Sequence, residues 1–183
     1  MSTHYVDGWR IDVERREDVP RLVPATALAR AVAAALSAAG APNPASLGLI
    51  LSDDAELAEL NEAHMGRHGP TDVLSFPLLA PGEYPDHPAK GRGAPAVPEP
   101  DAFALPPGAR PHLGDIVVSV ERAMDQAEAG RGGQTGDVRW DARDELALLV
   151  THGTLHVCGW DHADPVEEAA MRALERELLT RSS

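Results

Sequence analysis

The chain has a single cysteine, Cys158, so it cannot form an intrachain disulfide, and a reducing cytoplasm is its simplest setting. Aromatic residues are only 4% of the chain, which leaves Leu, Val, Ile and Ala to build the core. No apolar run approaches the length that a membrane span needs. The N-terminal Met1-Ser-Thr-His-Tyr-Val-Asp7 lacks the basic-then-apolar pattern of a signal peptide. A cytoplasmic protein with no membrane partner is therefore expected. Basic residues are also scarce: 16 Lys and Arg face 29 Asp and Glu, for a net charge of −13. Such a charge repels polyanions at long range and argues against a broad nucleic-acid-gripping surface.

What is present describes one globular domain. The 183 residues are 43% hydrophobic, enough for one core and one domain spanning 1–183. Residues 5–15 alternate loosely and read as one strand. An Ala-rich helix opens near Pro24, carries Leu28, Val32 and Leu36 at helical spacing, and stops at Gly40. Leu47, Leu49 and Leu51 alternate as a strand. Asp53 and Glu56 form a capping box for a helix that runs to about Met65, with Leu57, Leu60 and His64 along one side. Val73, Leu74 and Phe76 form a short strand ending at Pro77, which suits an edge position. Residues 79–112 hold nine of the sixteen prolines and few large apolar side chains, so they read as a long exposed loop with nothing to pack a core. The β-branched run Leu113-Gly-Asp-Ile-Val-Val-Ser-Val120 reads as a central buried strand. A helix from Glu121 to Ala129 and a Gly-rich loop follow. Asp164, Pro165 and Glu167 form a second capping signal, and Val166, Ala170, Leu174 and Leu178 mark the apolar face of the last helix. The fold class expected is α+β, with a small mixed sheet of about four strands packed with about five helices.

Chemistry concentrates at Thr151-His-Gly-Thr-Leu-His-Val-Cys-Gly-Trp-Asp-His162, which holds three of the eight histidines. His152 and His156 are four apart, so in a helix they stack on one face. Asp141 to Val150 contains good helix formers without Gly or Pro, and Gly159 is a natural stop. A turn there returns His162 to the same point. Three imidazoles converging in this way form the protein half of a catalytic Zn²⁺ site, with one position left for water. Imidazole ligands also accept Ni²⁺ or another divalent ion. Cys158 points off the histidine face and reads as a small apolar residue packing behind the site.

The motif resembles that of the metzincin proteases, with a glycine in the place of their catalytic glutamate: Gly153 can neither accept nor give a proton. A second resemblance covers residues from about 45 to 180. Leu60-Asn61, Pro70-Thr-Asp-Val-Leu-Ser-Phe-Pro77, Leu113-Gly-Asp-Ile-Val-Val-Ser119 and His152-Gly-x-Leu-His-x-x-Gly-x-Asp-His162, in that order, resemble the YbeY endoribonuclease and rRNA maturation family. The resemblance implies His152, His156 and His162 as zinc ligands at the mouth of a cleft. It also implies cleavage of single-stranded RNA, maturation of the small-subunit (16S) rRNA 3′ end and ribosome quality control, with the small subunit and its assembly factors as partners. The chain departs from the family at Met65, where an RNA-facing arginine often stands; Arg67, two residues on, is the substitute at hand.

The leading expectation is thus hydrolysis of an RNA phosphodiester by zinc-activated water. Arg67 is the candidate phosphate contact, and Asp72, Ser75 and Asp161 are candidates for orienting water or a ligand histidine. Arg67, Arg122, Arg139 and Arg143 are the cations available for a small basic rim. Two other readings remain: a metallohydrolase of another substrate such as a peptide, against which Gly153 argues, and a non-catalytic ribosome-associated factor with a structural zinc.

Overall fold

Among the described residues, five strands form one mixed sheet, and five helices pack on it or on one another. The computed structural model describes residues 1–79, 84, 109–130, 141–162 and 164–182. The elements are β1 (Ser2–Val6), β2 (Trp9–Arg15), α1 (Ala25–Ala38), β3 (Ser46–Ser52), α2 (Asp54–Leu60), β4 (Val73–Pro77), β5 (His112–Ser119), α3 (Val120–Glu128), α4 (Ala142–Val157) and α5 (Pro165–Ser182), with a π-helical turn at Asn61–Met65 after α2. The sheet order is β1-β2-β3-β5-β4. β3 runs parallel to both β2 and β5, and the outer strands β1 and β4 are antiparallel to their neighbours. The expected α+β class holds, Pro77 ends an edge strand, and β5 lies inside the sheet.

The strand expected over residues 5–15 is instead a hairpin of two. Asp7 and Gly8 both adopt positive φ, 49° and 94°. An Asp-Gly pair suits the left-handed two-residue turn whose twist matches a hairpin, and here that signal outweighs the alternation of the flanking residues.

The strand alternation divides the core between the two sheet faces. Ile11, Leu47, Leu49, Leu113, Ile116 and Val118 are fully buried beneath α1 and α4. On the opposite face Leu57 of α2 packs with Leu74 and Val117 in a smaller cluster. The α1 stripe of Leu28, Val32 and Leu36 is buried as its spacing predicts. Tyr84 corrects the reading of 79–112 as unable to pack a core: it is buried in the main cluster, and Leu79 packs against that cluster. Most of 79–112 and of the Gly-rich loop after α3 lie outside the described residues.

α4 is the central helix. Ten of its residues, between Glu145 and Val157, are buried, because it contacts α1, α3, α5, β4 and β5 together. A helix enclosed on most sides needs apolar residues around most of its circumference, and Leu146, Leu148, Leu149, Val150, Leu155 and Val157 supply them. Its start is set by Asp141, whose Oδ1 accepts from the backbone N–H of Arg143 (2.8 Å) and Asp144 (3.0 Å), with the Asp144 carboxylate returning to the Asp141 N–H. Asp141→Ala is expected to lower unfolding free energy by about 1 kcal/mol, the usual cost of losing a cap. Urea titration checks this, and an unchanged midpoint would mean that water replaces the cap.

Two other caps are only half formed. Asp53 Oδ1 accepts from the Glu56 N–H (2.9 Å), but the Glu56 carboxylate is taken by Arg16 (2.8 and 2.6 Å) and Ser52. That ion pair, followed by the Ser52 hydroxyl, holds the Glu56 carboxyl below its ordinary pKa. Asp164 accepts from the N–H groups of Val166 and Glu167, whereas Glu167 Oε1 accepts from Asp161 N–H. On α5 Leu178 is buried and Ala170 and Leu174 pack against the main cluster as expected, but Val166 is 69% exposed, and the inward face also takes in Glu167, Met171 and Glu175. Two glutamates thus face inward beside the apolar stripe, and one of them reaches the site.

Candidate metal centre

The C-terminal turn of α4 and the loop after it bring His152, His156 and His162 together, with one nitrogen of each lying within 4.8 Å of the others. Helical spacing places the first two rings 4.5 Å apart between centroids. Helix α4 then stops: Gly159 takes φ 84°, a left-handed conformation that costs glycine little. The chain reverses and His162 arrives 5.0 Å from the His156 ring and 6.0 Å from the His152 ring. Asp161 shapes this reversal, its Oδ1 accepting from the His162 N–H at 2.7 Å.

Hydrogen bonds behind the rings decide which nitrogens face inward. His152 Nδ1 lies 2.7 Å from Glu175 Oε1, and His156 Nδ1 lies 2.7 Å from the Trp160 carbonyl. Both partners accept, so each Nδ1 carries the ring proton and each Nε2 presents a lone pair. Those two Nε2 atoms are 3.0 Å apart. Two lone pairs at that distance repel, and a cation shared between them removes the repulsion. The donor set fits a divalent metal that favours imidazole. His156 is pushed down to about 4, chiefly by burial and next by the neighbouring His152, so it is neutral near pH 7 and able to ligate.

Cys158 is buried, and burial pushes its thiol up to about 12. It stays protonated at neutral pH and lies outside the histidine cluster, as its position in the helix predicts.

The histidines open onto a cleft of about 370 Å³ lined by Asp72, His152, His162, Glu168, Met171, Arg172 and Glu175. Of the sequence candidates, Asp72 is in this lining. Its Oδ1 caps Val73 N–H (2.9 Å) and its Oδ2 accepts from Gln126 (3.3 Å). Ser75 is committed elsewhere, donating to the Gly153 carbonyl (3.0 Å) and so tying β4 to α4. Arg67 is exposed and is not among the lining residues. Among the described residues the basic rim is not assembled around the cleft either: Arg122 pairs with Asp54 at 3.0 Å and Arg143 is exposed at the far end of α4, while Arg139 lies outside the described residues. Sequence reasoning missed Glu175, Glu168 and Arg172. The available signal was a charged residue, Glu175, within the Met171–Leu178 apolar spacing of α5.

Gly153 has a structural reason for being glycine. A Cβ there would lie 2.7 Å from Ile116 Cγ2 and 2.9 Å from Val73 Cγ2. The helix backbone rests directly on β4 and β5, so a glutamate at this position would enter the sheet rather than the cleft. Gly153→Ala is expected to destabilise the fold, because overpacking costs about 1–3 kcal/mol and the better helix propensity of alanine returns only about 1 kcal/mol. A chemical-denaturation midpoint at or above wild type would show that the sheet yields to the methyl group.

Comparison with known proteins finds relatives of this sequence. The family model described as Endoribonuclease YbeY matches residues 12–183. The Endoribonuclease YbeY of Roseiflexus castenholzii is 36% identical over 171 residues, covering 92% of this chain and 90% of that protein. The Endoribonuclease YbeY of Mycobacterium sp. (strain KMS) is 44% identical over 140 residues, covering 75% of this chain and 64% of its own length. A solution structure of a Thermotoga maritima protein aligns over 94% of this chain and 88% of its own, with a TM-score of 0.48 and 19% identity.

Proposed function

The chain belongs to the YbeY endoribonuclease family, and from that premise we propose that it is a zinc-dependent endoribonuclease. Its substrate is single-stranded RNA, and its setting is small-subunit (16S) rRNA 3′-end maturation and ribosome quality control in the cytoplasm, with the small subunit and its assembly factors as partners. The observation that carries the metal-dependent reading is the pair of lone-pair-bearing Nε2 atoms 3.0 Å apart, with His162 closing the set beside an open cleft.

His152, His156 and His162 would hold the ion. A bound divalent metal supplies hydroxide near neutral pH and offsets charge that develops on phosphoryl oxygens. The protein's own groups do the rest. Glu175 and the Trp160 carbonyl fix the tautomers of two ligands. Asp72, at the cleft wall, is the carboxylate best placed to orient a water molecule. Asp161 positions His162 through the backbone, and Ser75 holds α4 against β4. Arg67, exposed on the turn before β4, has a role only at the periphery of the substrate. The net charge of −13 limits RNA affinity, so binding is short in footprint and strengthened when a ribosomal particle presents the strand.

The deciding experiment purifies the protein without a nickel column, measures its metal content, and assays labelled single-stranded RNA and casein in parallel. RNA cleavage that a chelator stops and zinc restores supports the proposal. Casein turnover with the same metal dependence would favour a peptidase. A tightly held metal with neither activity, on free RNA or on ribosomal particles, would favour a structural zinc.

A further inference from the structure

Among the described residues the cleft lining carries one cation, Arg172, and Arg67 is not part of that lining. Arg172 is the one Lys or Arg among the described residues lining the cleft, which otherwise presents Asp72, Glu168 and Glu175 beside two histidines. Its Nε and Nη2 both donate to a single oxygen, Glu168 Oε1, at 3.1 and 2.6 Å. The pair is an i,i+4 contact on α5 with both side chains about one-third exposed, 33% and 38%. Such a pair is weak in water, because solvent screens it and each side chain loses rotamer freedom. The guanidinium is a planar fork, and Nη1 takes no part in the contact with Glu168.

We infer that Arg172 is the phosphodiester contact of this cleft and that Glu168 holds it in a resting position until an RNA phosphate displaces the carboxylate. The inference rests on the nuclease reading and names the group that recognises the substrate backbone. Three physical facts support it. A chain of charge −13 needs a local cation to accept a polyanion. The Arg172 fork matches two phosphate oxygens, and a charge-assisted bidentate contact exceeds a screened surface ion pair. Its position beside His152 and His162 puts a bound phosphate next to the metal-ligating nitrogens, whereas Arg67 is outside the lining.

The test uses zinc-loaded protein and a fluorescein-labelled single-stranded RNA dodecamer. Binding is read by anisotropy in the cold before cleavage begins, across a salt series, and cleavage by gel. Arg172→Ala should weaken binding about tenfold and flatten the slope of log affinity against log salt by about 0.7, the share of one phosphate on a single strand. It should raise KM more than it lowers kcat. Arg172→Lys should keep the salt slope and lose part of the affinity, because a point charge replaces the fork. Glu168→Gln should tighten binding several-fold, since it removes both a competitor and a negative charge. Both positions are partly exposed, and melting curves confirm folding. Wild-type affinity and salt slope in Arg172→Ala, or weaker binding in Glu168→Gln, would overturn the inference while leaving the nuclease reading intact. Wild-type protein that neither binds nor cuts the RNA would overturn both.

Discussion

His156→Ala is expected to lose stoichiometric metal binding and to bring RNA cleavage down to background. His156 is the middle of the three donors: its Nε2 is 3.0 Å from that of His152, and its ring lies 5.0 Å from His162. Without it, a partly buried imidazole and an exposed one remain, and two donors do not hold a zinc ion against water. Outer partners of metal ligands typically cost 10–100-fold in affinity when removed, so a direct ligand should cost more than about a hundredfold. Competition against a chromophoric chelator measures the affinity, and circular dichroism confirms the fold. The neutral state of His156 at pH 7, which its burial favours, leaves its Nε2 lone pair free to ligate in the wild type. Equal cleavage by wild type and variant prepared side by side would assign the activity to a contaminant.

Glu175→Ala is the second large effect, and it reaches the metal through another residue. Glu175 is only 4% exposed, and its Oε1 sits 2.7 Å from His152 Nδ1. Accepting the Nδ1 proton turns the Nε2 lone pair toward the cleft and locks the ring. Without that acceptor, His152 is free to rotate or to take the other tautomer, and some of its population no longer ligates. A loss of about a hundredfold in metal affinity is expected for Glu175→Ala. Glu175→Gln should lose about tenfold, since the amide oxygen still accepts but without charge. The graded pair separates orientation from packing. If Glu175 merely filled space in α5, both variants would lower melting temperature while the folded protein kept wild-type metal affinity. That outcome would sink the positioning role.

Local features of the chain carried much of the fold. The four-residue spacing of His152 and His156, the stop at Gly159 and the return to His162 are all read within one helical turn and one loop, so the convergence was legible before any tertiary contact. The same holds for α1, whose Leu28, Val32 and Leu36 follow helical periodicity, and for β3 and β5, whose apolar runs fit no other element. The Asp7-Gly8 hairpin was legible too, but only through its turn residues, because the flanking strands alternate as one. The α5 stripe of Ala170, Leu174 and Leu178 does pack on the core, but Val166 lies off it and two glutamates lie beside it. Burial also takes in Glu167, Met171 and Glu175, and apolar spacing alone does not reveal a carboxylate that turns inward to meet His152.

By itself, then, the sequence determined the histidine set, the α+β class, the position of β5 inside the sheet and β4 at its edge, and Cys158 as a small buried residue off the histidine face. These depend on spacing along the chain and on the chemistry of single residues. Only the tertiary structure decided which carboxylate orients His152, which arginine lines the cleft, and why position 153 admits no side chain. Glu175 follows His152 by 23 residues, Ser75 and Gly153 are 78 apart, and Ile116 meets Gly153 from another strand. Such contacts arise when α5 folds across α4 and α4 settles on the sheet, and no periodicity within a single element encodes which side chains will face one another there.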